Sequence, residues 1–166
     1  MFDGIKQLTA ASEPTFAKAR AFAEHCFGLM NADGFVPAER LELAGIAKLA
    51  PYLIILGAID NGADFRVRLA GTRLVDEFLG GNPTGAKLSK ILTDDEFGRR
   101  GRHIVEECQR TKRPILNQPG RTRLRAKDYM KLETVTFPLV DGAGCVIKIV
   151  SLYDYLFEEP SFEVPR

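Results

Sequence analysis

The stretch "RLAGTRLVDEFLGGNPTG", from Arg68 to Gly85, predicts a strand end, a short amphipathic helix and the start of a second helix. Thr72 follows the strand and is a suitable N-cap, because its hydroxyl can accept a backbone N–H. Helical spacing places four apolar residues on one buried stripe, namely Leu74, Val75, Phe78 and Leu79. Gly80-Gly81 ends this helix, since glycine readily adopts the left-handed cap, and Thr84 is expected to cap the next one. Short helices ended by glycines bend the chain around a space.

The residues before this stretch predict a β-hairpin. Tyr52–Ile59 is continuously apolar, which is typical of a strand covered on both faces. Asp60–Gly62 is a turn signal, because Asn-Gly adopts positive φ at low cost. Asp64–Ala70 alternates apolar and basic residues, so we expect a strand with one solvated face.

The residues after the stretch predict a long helix and three strands. The helix runs roughly from Asp94 to Thr111, and the strands are Pro114–Gln118, Tyr129–Val140 and Cys145–Phe157. A hairpin, a helical crossover and a three-stranded meander form an antiparallel sheet. We therefore expect an α+β fold with a five-stranded antiparallel sheet and helices on one face.

The N-terminal part predicts a helical extension, residues 1–37, ahead of a main domain, residues 38–157, and an acidic tail, residues 158–166. One helix begins near Ser12 and ends near Met30, and a weaker one covers Pro37–Ala50. The first helix has an apolar stripe that consists of Ala19, Phe22, Ala23, Cys26, Leu29 and Met30. Two alternatives remain open for this stripe: it forms a homodimer, or it covers the second face of the sheet.

The order of elements carries a family resemblance. The segment 68–72, "RLAGT", with Thr84-Gly85, a long helix and then "RPIL" at 113–116, resembles the PAS domain superfamily. More narrowly, it is similar to the single-domain PAS-like proteins of alphaproteobacteria. The resemblance covers roughly residues 38–157. It implies a sensory and interaction module with a cavity between sheet and helices, often dimeric through a flanking N-terminal helix.

We expect any cavity of this kind to have apolar walls and a few hydroxyl groups. The apolar candidates are Leu74, Phe78, Leu88, Ile104 and Leu116. The polar candidates, on the last two strands, are Thr134, Thr136, Ser151 and Tyr153. The alternative is that these side chains simply fill a closed core.

Neither haem nor flavin is expected in this cavity. His103 lies on the long helix, but its helical phase differs from that of Phe97 and Ile104, and His25 only flanks the first stripe. Flavin-binding photosensor PAS domains resemble one another through an Asn-Cys-Arg-Phe-Leu-Gln motif. The corresponding segment here, "GNPTGAKLSKIL" at 81–92, has no cysteine. The identity of any ligand stays open.

A basic stretch extends from Arg99 to Lys127. It could bind an anionic small molecule or an acidic partner protein through Arg113, Arg121, Arg123 and Arg125. The alternative is a solvated basic edge that prevents strand pairing between molecules. Nucleic acid is not favoured as a partner, because no aromatic residues interleave with the arginines.

Composition and motifs argue for binding rather than catalysis. The chain has 166 residues and a net charge of +1, no secretory signal and no apolar run that approaches a membrane span. Its three scattered cysteines are typical of reduced thiols, so we expect a cytoplasmic protein. No nucleophile–base pair, metal motif or phosphate loop is evident. The leading hypothesis is a non-catalytic sensory module; the alternatives are a ligand-free adaptor and, less favoured, a small enzyme using Asp76 or Glu133.

Overall fold

The computed structural model describes residues 2–121 and 130–157. Its strands are β1 Ile5–Gln7, β2 Val36–Pro37, β3 Leu53–Ile59, β4 Asp64–Ala70, β5 Ile115–Arg121, β6 Met130–Val140 and β7 Val146–Phe157. Its α-helices are α1 Ala17–Gly28, α2 Thr72–Leu74, α3 Leu88–Ile91 and α4 Glu96–Thr111. A π-helical turn, Val75–Leu79, continues α2.

All these strands belong to one sheet, in the order β1-β5-β6-β7-β3-β4. The neighbours in this order are antiparallel, and β2 pairs in parallel with the end of β6. The β3–β4 hairpin, the helical crossover and the β5–β6–β7 meander confirm the predicted α+β fold. The described sheet has seven strands rather than five, because β1 and β2 pair with distant strands. Strands of three and two residues show no periodicity that a sequence could reveal.

The second face of the sheet is covered by α1. Ala19, Phe22, Ala23 and Cys26 are completely buried in a cluster with side chains from β6 and β7. The ring of Phe137 on β6 makes an edge contact with that of Phe22, at 5.9 Å between centroids. The centre of the apolar stripe is thus occupied within the chain, and a dimer through α1 would have to use another part of the helix.

Two of the predicted elements differ in the structure. Instead of one helix over Pro37–Ala50, there are three separate 3₁₀ turns, Ala38–Arg40, Leu43–Ile46 and Ala50–Tyr52. The backbone is extended at Leu41 and Glu42, and this interrupts any continuous helix.

Thr84 does not cap the second short helix. Its backbone N–H and hydroxyl both bond to Asn82 Oδ1, and α3 begins only after Lys87. The intervening residues pair with the outer edge of β4 instead. Gly85 donates to the Val67 carbonyl at 2.8 Å, and Val67 donates to the Ala86 carbonyl at 2.9 Å. The Thr-Gly motif therefore closes a sheet edge rather than starting a helix.

Two glycines shape the crossover, and the sequence predicts the cap at Gly80. Gly71, and not Thr72 as expected, is the N-cap of α2. Gly80 ends the π-helical turn with φ 66°, the left-handed conformation that favours glycine. Gly71 donates its N–H to the Leu53 carbonyl at 2.7 Å, and a Cβ at this position would collide with the backbone carbonyls of Ala50 and Pro51. The chain can leave β4 so closely only without a side chain. Among the described residues, no helix has the length and apolar character needed to cross a membrane.

Candidate ligand cavity

A cavity of about 210 Å³ lies between the crossover helices and the sheet. Its walls come from the π-helical turn, α3 and α4 on one side and from β3, β6 and β7 on the other. The lining is mostly apolar, with hydroxyl groups contributed by β6 and β7. This is the space that the glycine-ended short helices surround.

Seven of the nine residues predicted for a cavity line it: Phe78, Leu88, Ile104, Thr134, Thr136, Ser151 and Tyr153. Leu74 is buried in the hydrophobic cluster that contains Leu88 and Ile104, but it does not line the cavity. Leu116 faces α1 on the opposite side of the sheet, and Ile115 is the β5 residue that faces α4. The sequence-based prediction therefore assigned the wrong face of β5 to the cavity, by one residue. The error arose because residues 114–117 are all buried and show no alternation that would distinguish the two faces.

Other lining residues were not predicted. Ile54 and Leu56 of β3 alternate with Leu53 and Ile55, but a strand buried on both faces does not show which set faces the helices. On α4, Phe97, Gly101 and Val105 also line the cavity. Their helical positions indicate this only after Ile104 is known to face the cavity. The remaining lining residues are in the crossover or at its end, namely Leu79, Pro83, Ile91, Leu92, Thr93 and Gly98.

Four hydroxyl groups form two cross-strand pairs in the cavity wall. Thr136 lies opposite Ser151, and Thr134 lies opposite Tyr153. The Thr136 and Ser151 hydroxyl oxygens are 2.7 Å apart, so one donates to the other and the acceptor keeps its own hydrogen. Burial raises the pKa of Tyr153 to about 12, so its hydroxyl stays protonated at neutral pH. The wall can therefore donate hydrogen bonds to a polar ligand atom.

Aromatic rings connect the cavity to the end of β7. Phe78 stacks on Phe97 at 5.9 Å between centroids and makes edge contacts with Tyr153 at 5.6 Å and Tyr155 at 5.4 Å. Tyr155 in turn contacts Phe157 at 5.7 Å, and Phe157 is 54% exposed. Phe78 is thus connected to the protein surface through two ring contacts, first with Tyr155 and then with Phe157. A movement of Phe78 within the cavity can reach the surface along these rings.

A more open groove of about 450 Å³ adjoins the cavity. It lies between the N-terminal segment, α4 and β5, and five residues line both spaces: Phe97, Gly101, Ile104, Thr134 and Tyr153. Arg100 lines the groove and donates from Nη2 to the Asp3 carbonyl at 2.5 Å and to Asn117 Oδ1 at 2.8 Å. Cavity and groove therefore share a wall that has a cationic side chain at its outer end.

The predicted basic surface is only partly described. Arg113 is exposed, and its guanidinium lies 5.8 Å from the Phe35 ring centroid. Arg121 ends β5, and Arg123 and Arg125 lie outside the described residues. The adaptor alternative depends on these arginines, so it stays a prediction.

The two acids considered for an enzymatic alternative lie apart. Asp76 is exposed on the π-helical turn. Glu133 is fully buried beneath α1, where it accepts N–H groups from Thr15 and Phe16. Neither lines the cavity. Within residues 2–121 and 130–157, no group of three or more His, Cys, Asp or Glu side chains could hold a metal ion.

Comparisons with known proteins find only distant structural similarity. No family model and no curated protein matches the chain. Similar solved structures include a light-oxygen-voltage domain studied with a flavin analogue, which is 12% identical over 70% of this chain and 84% of its own, with a TM-score of 0.48. Others are the light state of the blue-light photoreceptor Aureochrome1 LOV (10% identity, 71% and 91% coverage, TM-score 0.41) and an RNA-binding light-oxygen-voltage receptor (16% identity, 76% and 36% coverage, TM-score 0.44).

The hairpin, crossover and meander in one antiparallel sheet, with short helices enclosing a cavity, decide the architecture. The fold is PAS-like. Relative to the five-stranded sheet that the resemblance implies, this PAS-like domain gains β1 at the β5 edge and α1 on the second face.

The cavity by itself is small and, in the described part of the chain, offers no histidine or cysteine that could ligate haem iron or form a flavin adduct. At about 210 Å³ it is below the range of roughly 300–1,000 Å³ that is usual for drug-sized ligands. Its lining contains no histidine or cysteine among the described residues. The ring of His103 lies instead against Phe2, at 5.3 Å between centroids, and Cys108 is buried beside the cavity without lining it. The geometry favours a smaller ligand.

Proposed function

We propose that this PAS-like domain is a non-catalytic sensory or regulatory module that binds a small molecule between its helices and its sheet. The observation that supports the proposal is the cavity of about 210 Å³, which is apolar with four hydroxyl groups on one wall. Apolar walls supply affinity through burial, and a few placed hydroxyls supply orientation. A packed core would leave no space of this size.

Signalling from the cavity would pass through the aromatic contacts around Phe78. A ligand that moves this ring also moves Tyr155, because the two rings are in edge contact at 5.4 Å. Tyr155 contacts Phe157 at the exposed end of β7. We propose that ligand occupancy alters this end of the sheet and thereby a contact with a partner protein or with a second copy of the chain, and that the module acts in the cytoplasm.

The proposal is tested by native mass spectrometry of the protein purified from the cells that naturally produce it. Ile104→Phe adds volume to a residue that lines the cavity. Ile147→Phe makes the same change on an exposed residue and is the matched control. The wild-type protein and the Ile147→Phe variant should carry a small mass that is lost on denaturation, and the Ile104→Phe variant should not.

A bound mass that is retained by the Ile104→Phe variant would place the ligand elsewhere. Wild-type protein without a bound mass, and without a thermal shift on addition of small amphiphiles, would contradict the proposal. In that case, the search would move to a partner protein of the adaptor alternative.

A further inference from the structure

The cavity and the outer groove are connected along one face of α4. Phe97, Arg100 and Ile104 are spaced by three and four residues, so their side chains lie on the same side of the helix. Gly101 lies between them and lines both spaces. A Cβ at Gly101 would meet only Leu92 Cδ2, at 3.6 Å. The absence of a side chain there leaves room between the apolar cavity and the groove.

The outer end of this path carries two side chains with N–H donors, Arg100 and Asn117. Arg100 donates to Asp3 and Asn117 through Nη2, and its guanidinium lies 5.5 Å from the Phe2 ring centroid. A guanidinium carries five N–H donors, so Nε and Nη1 offer three more to a ligand. Asn117 is 8% exposed and lines the groove. Its Oδ1 accepts from Arg100, so its amide nitrogen is the atom that can donate to a ligand. An amide N–H beside a guanidinium can donate to the same oxygen acceptor.

We infer that the site takes a small carboxylate-bearing amphiphile, with its apolar body in the cavity and its carboxylate at Arg100 and Asn117. This inference rests on the proposed function and names the class of ligand. A guanidinium and an amide together supply several N–H donors in the geometry that suits a carboxylate. The neighbouring Thr134 and Tyr153 hydroxyls lie where the two spaces meet and can bind a carbonyl or carboxylate oxygen.

Two acidic residues also line the groove, Asp3 and Glu96. Asp3 is exposed and contributes its backbone carbonyl to Arg100, and Glu96 is half-buried at the start of α4. The exposed carboxylate of Asp3 opposes an anionic ligand, so the selectivity depends on Arg100. The exposed Asp3 supplies a control: Asp3→Asn keeps the backbone carbonyl that accepts from Arg100, removes a like charge and should not weaken carboxylate binding, whereas Arg100→Gln should.

The test uses calorimetric titration of the full chain with hexanoate and with hexan-1-ol, which have similar apolar bodies and differ in charge. We expect hexanoate to bind at least about tenfold more tightly, which is the gain that one charge-assisted contact of about 1.4 kcal/mol provides. From butanoate to hexanoate, affinity should rise about fourfold for each added methylene, because each one is buried in the cavity. Arg100→Gln should reduce hexanoate affinity to that of hexan-1-ol.

A second variant guards against loss of folding in Arg100→Gln, since Arg100 also holds the N-terminal segment. Asn117→Asp keeps an oxygen that accepts from Arg100 and replaces the amide donor by a negative charge. It should weaken hexanoate at least tenfold and leave hexan-1-ol unchanged. Equal affinity of the wild-type protein for both probes would overturn the carboxylate inference and leave the proposed function standing. Binding of neither probe would overturn the carboxylate inference, and the native mass spectrum then decides whether the proposed function fails with it. A preference for hexanoate that survives Arg100→Gln would overturn the assignment of Arg100.

Discussion

Glu133 on β6 and Asp154 on β7 lie directly opposite each other, and their carboxylates together accept four backbone N–H groups at the start of α1. Glu133 accepts from Thr15 and Phe16, each at 2.8 Å. Asp154 Oδ2 accepts from Lys18 at 2.9 Å and from Ala19 at 3.1 Å. No side chain of the helix itself caps this end. Two buried sheet residues thus satisfy the free N–H groups of a helix that is distant in sequence.

Replacement of Asp154 should therefore destabilise the docking of α1. In Asp154→Ala, the N–H groups of Lys18 and Ala19 lose their acceptor, which costs about 1–3 kcal/mol of unfolding free energy. Asp154→Asn keeps one oxygen acceptor and should cost less than half as much. Urea denaturation measures both changes. Equal stability of the two variants would show that N–H acceptance is not what holds the helix.

Glu133 should give the protein an unusual pH dependence. Burial, and then the neighbouring Asp154, raise the pKa of Glu133 above its ordinary value of 4.5. Between 4.5 and the raised value, the folded state holds a proton that the unfolded chain has released. The stability that Glu133 contributes should therefore rise as pH falls from 7 towards 4.5 and level off below that. The measurement is the difference in unfolding free energy between wild type and Glu133→Gln across this range.

Glu13 provides a control of opposite sign. The ion pair with Lys6 and then hydrogen bonds from Thr9 lower the pKa of Glu13 to about 2. Its contribution is fully present above 4.5 and is lost as pH falls towards 2. The wild-type minus Glu13→Gln difference should shrink on acidification. If the Glu13 and Glu133 differences change in the same direction with pH, the interpretation of Glu133 is wrong.

Gly71→Ala should destabilise the fold at the exit from β4. A Cβ there collides with the carbonyls of Ala50 and Pro51, which are backbone and cannot rotate away. Overpacking of this kind costs about 1–3 kcal/mol. Gly142→Ala is the matched control, because no atom lies within 4 Å of its Cβ position. Thermal unfolding should separate the two variants, and a Gly71→Ala protein as stable as the control would contradict the packing described here.

Tyr155→Leu should uncouple the cavity from the surface. Tyr155 is in ring contact with both Phe78 and Phe157, and its loss removes the connection between them. In the wild-type protein, we expect hexan-1-ol binding to shift the aromatic NMR signals of Phe157, and in the variant the shift should fall by more than half. Tyr52→Leu, which changes another ring neighbour of Tyr155, is the control. An unchanged Phe157 shift in Tyr155→Leu would exclude this route.

Local signals made much of the fold predictable from the sequence. The alternation over Asp64–Ala70 predicted β4 with its observed bounds, and the glycine at position 80 takes the expected left-handed cap. Seven of the cavity residues were predicted as well: the hydroxyl-bearing ones because a pocket needs a few polar groups among apolar walls, and Ile104 because α4 has an apolar face. Leu116 was misplaced because its strand is buried on both faces and offers no alternation.

Features that depend on distant contacts were not predictable. Glu133 stands in a strand of otherwise largely apolar and threonine residues, and only the position of α1 shows that its carboxylate caps a helix. β1 is three residues long and acquires its identity from pairing with β5. The connection between groove and cavity at Gly101 and Arg100 becomes visible only in the structure. No sequence motif around these two residues indicates that they lie beside a cavity.

The most direct test of the central claim is a methyl NMR titration of isoleucine-labelled protein with hexan-1-ol. Ile54, Ile91 and Ile104 line the cavity, whereas Ile46 is buried on the other face of the sheet beneath α1. A cavity that binds small molecules predicts saturable shifts at the first three methyl groups and none at Ile46. No saturable shift at Ile54, Ile91 and Ile104, or an equal shift at Ile46, would contradict a ligand site between the helices and the sheet.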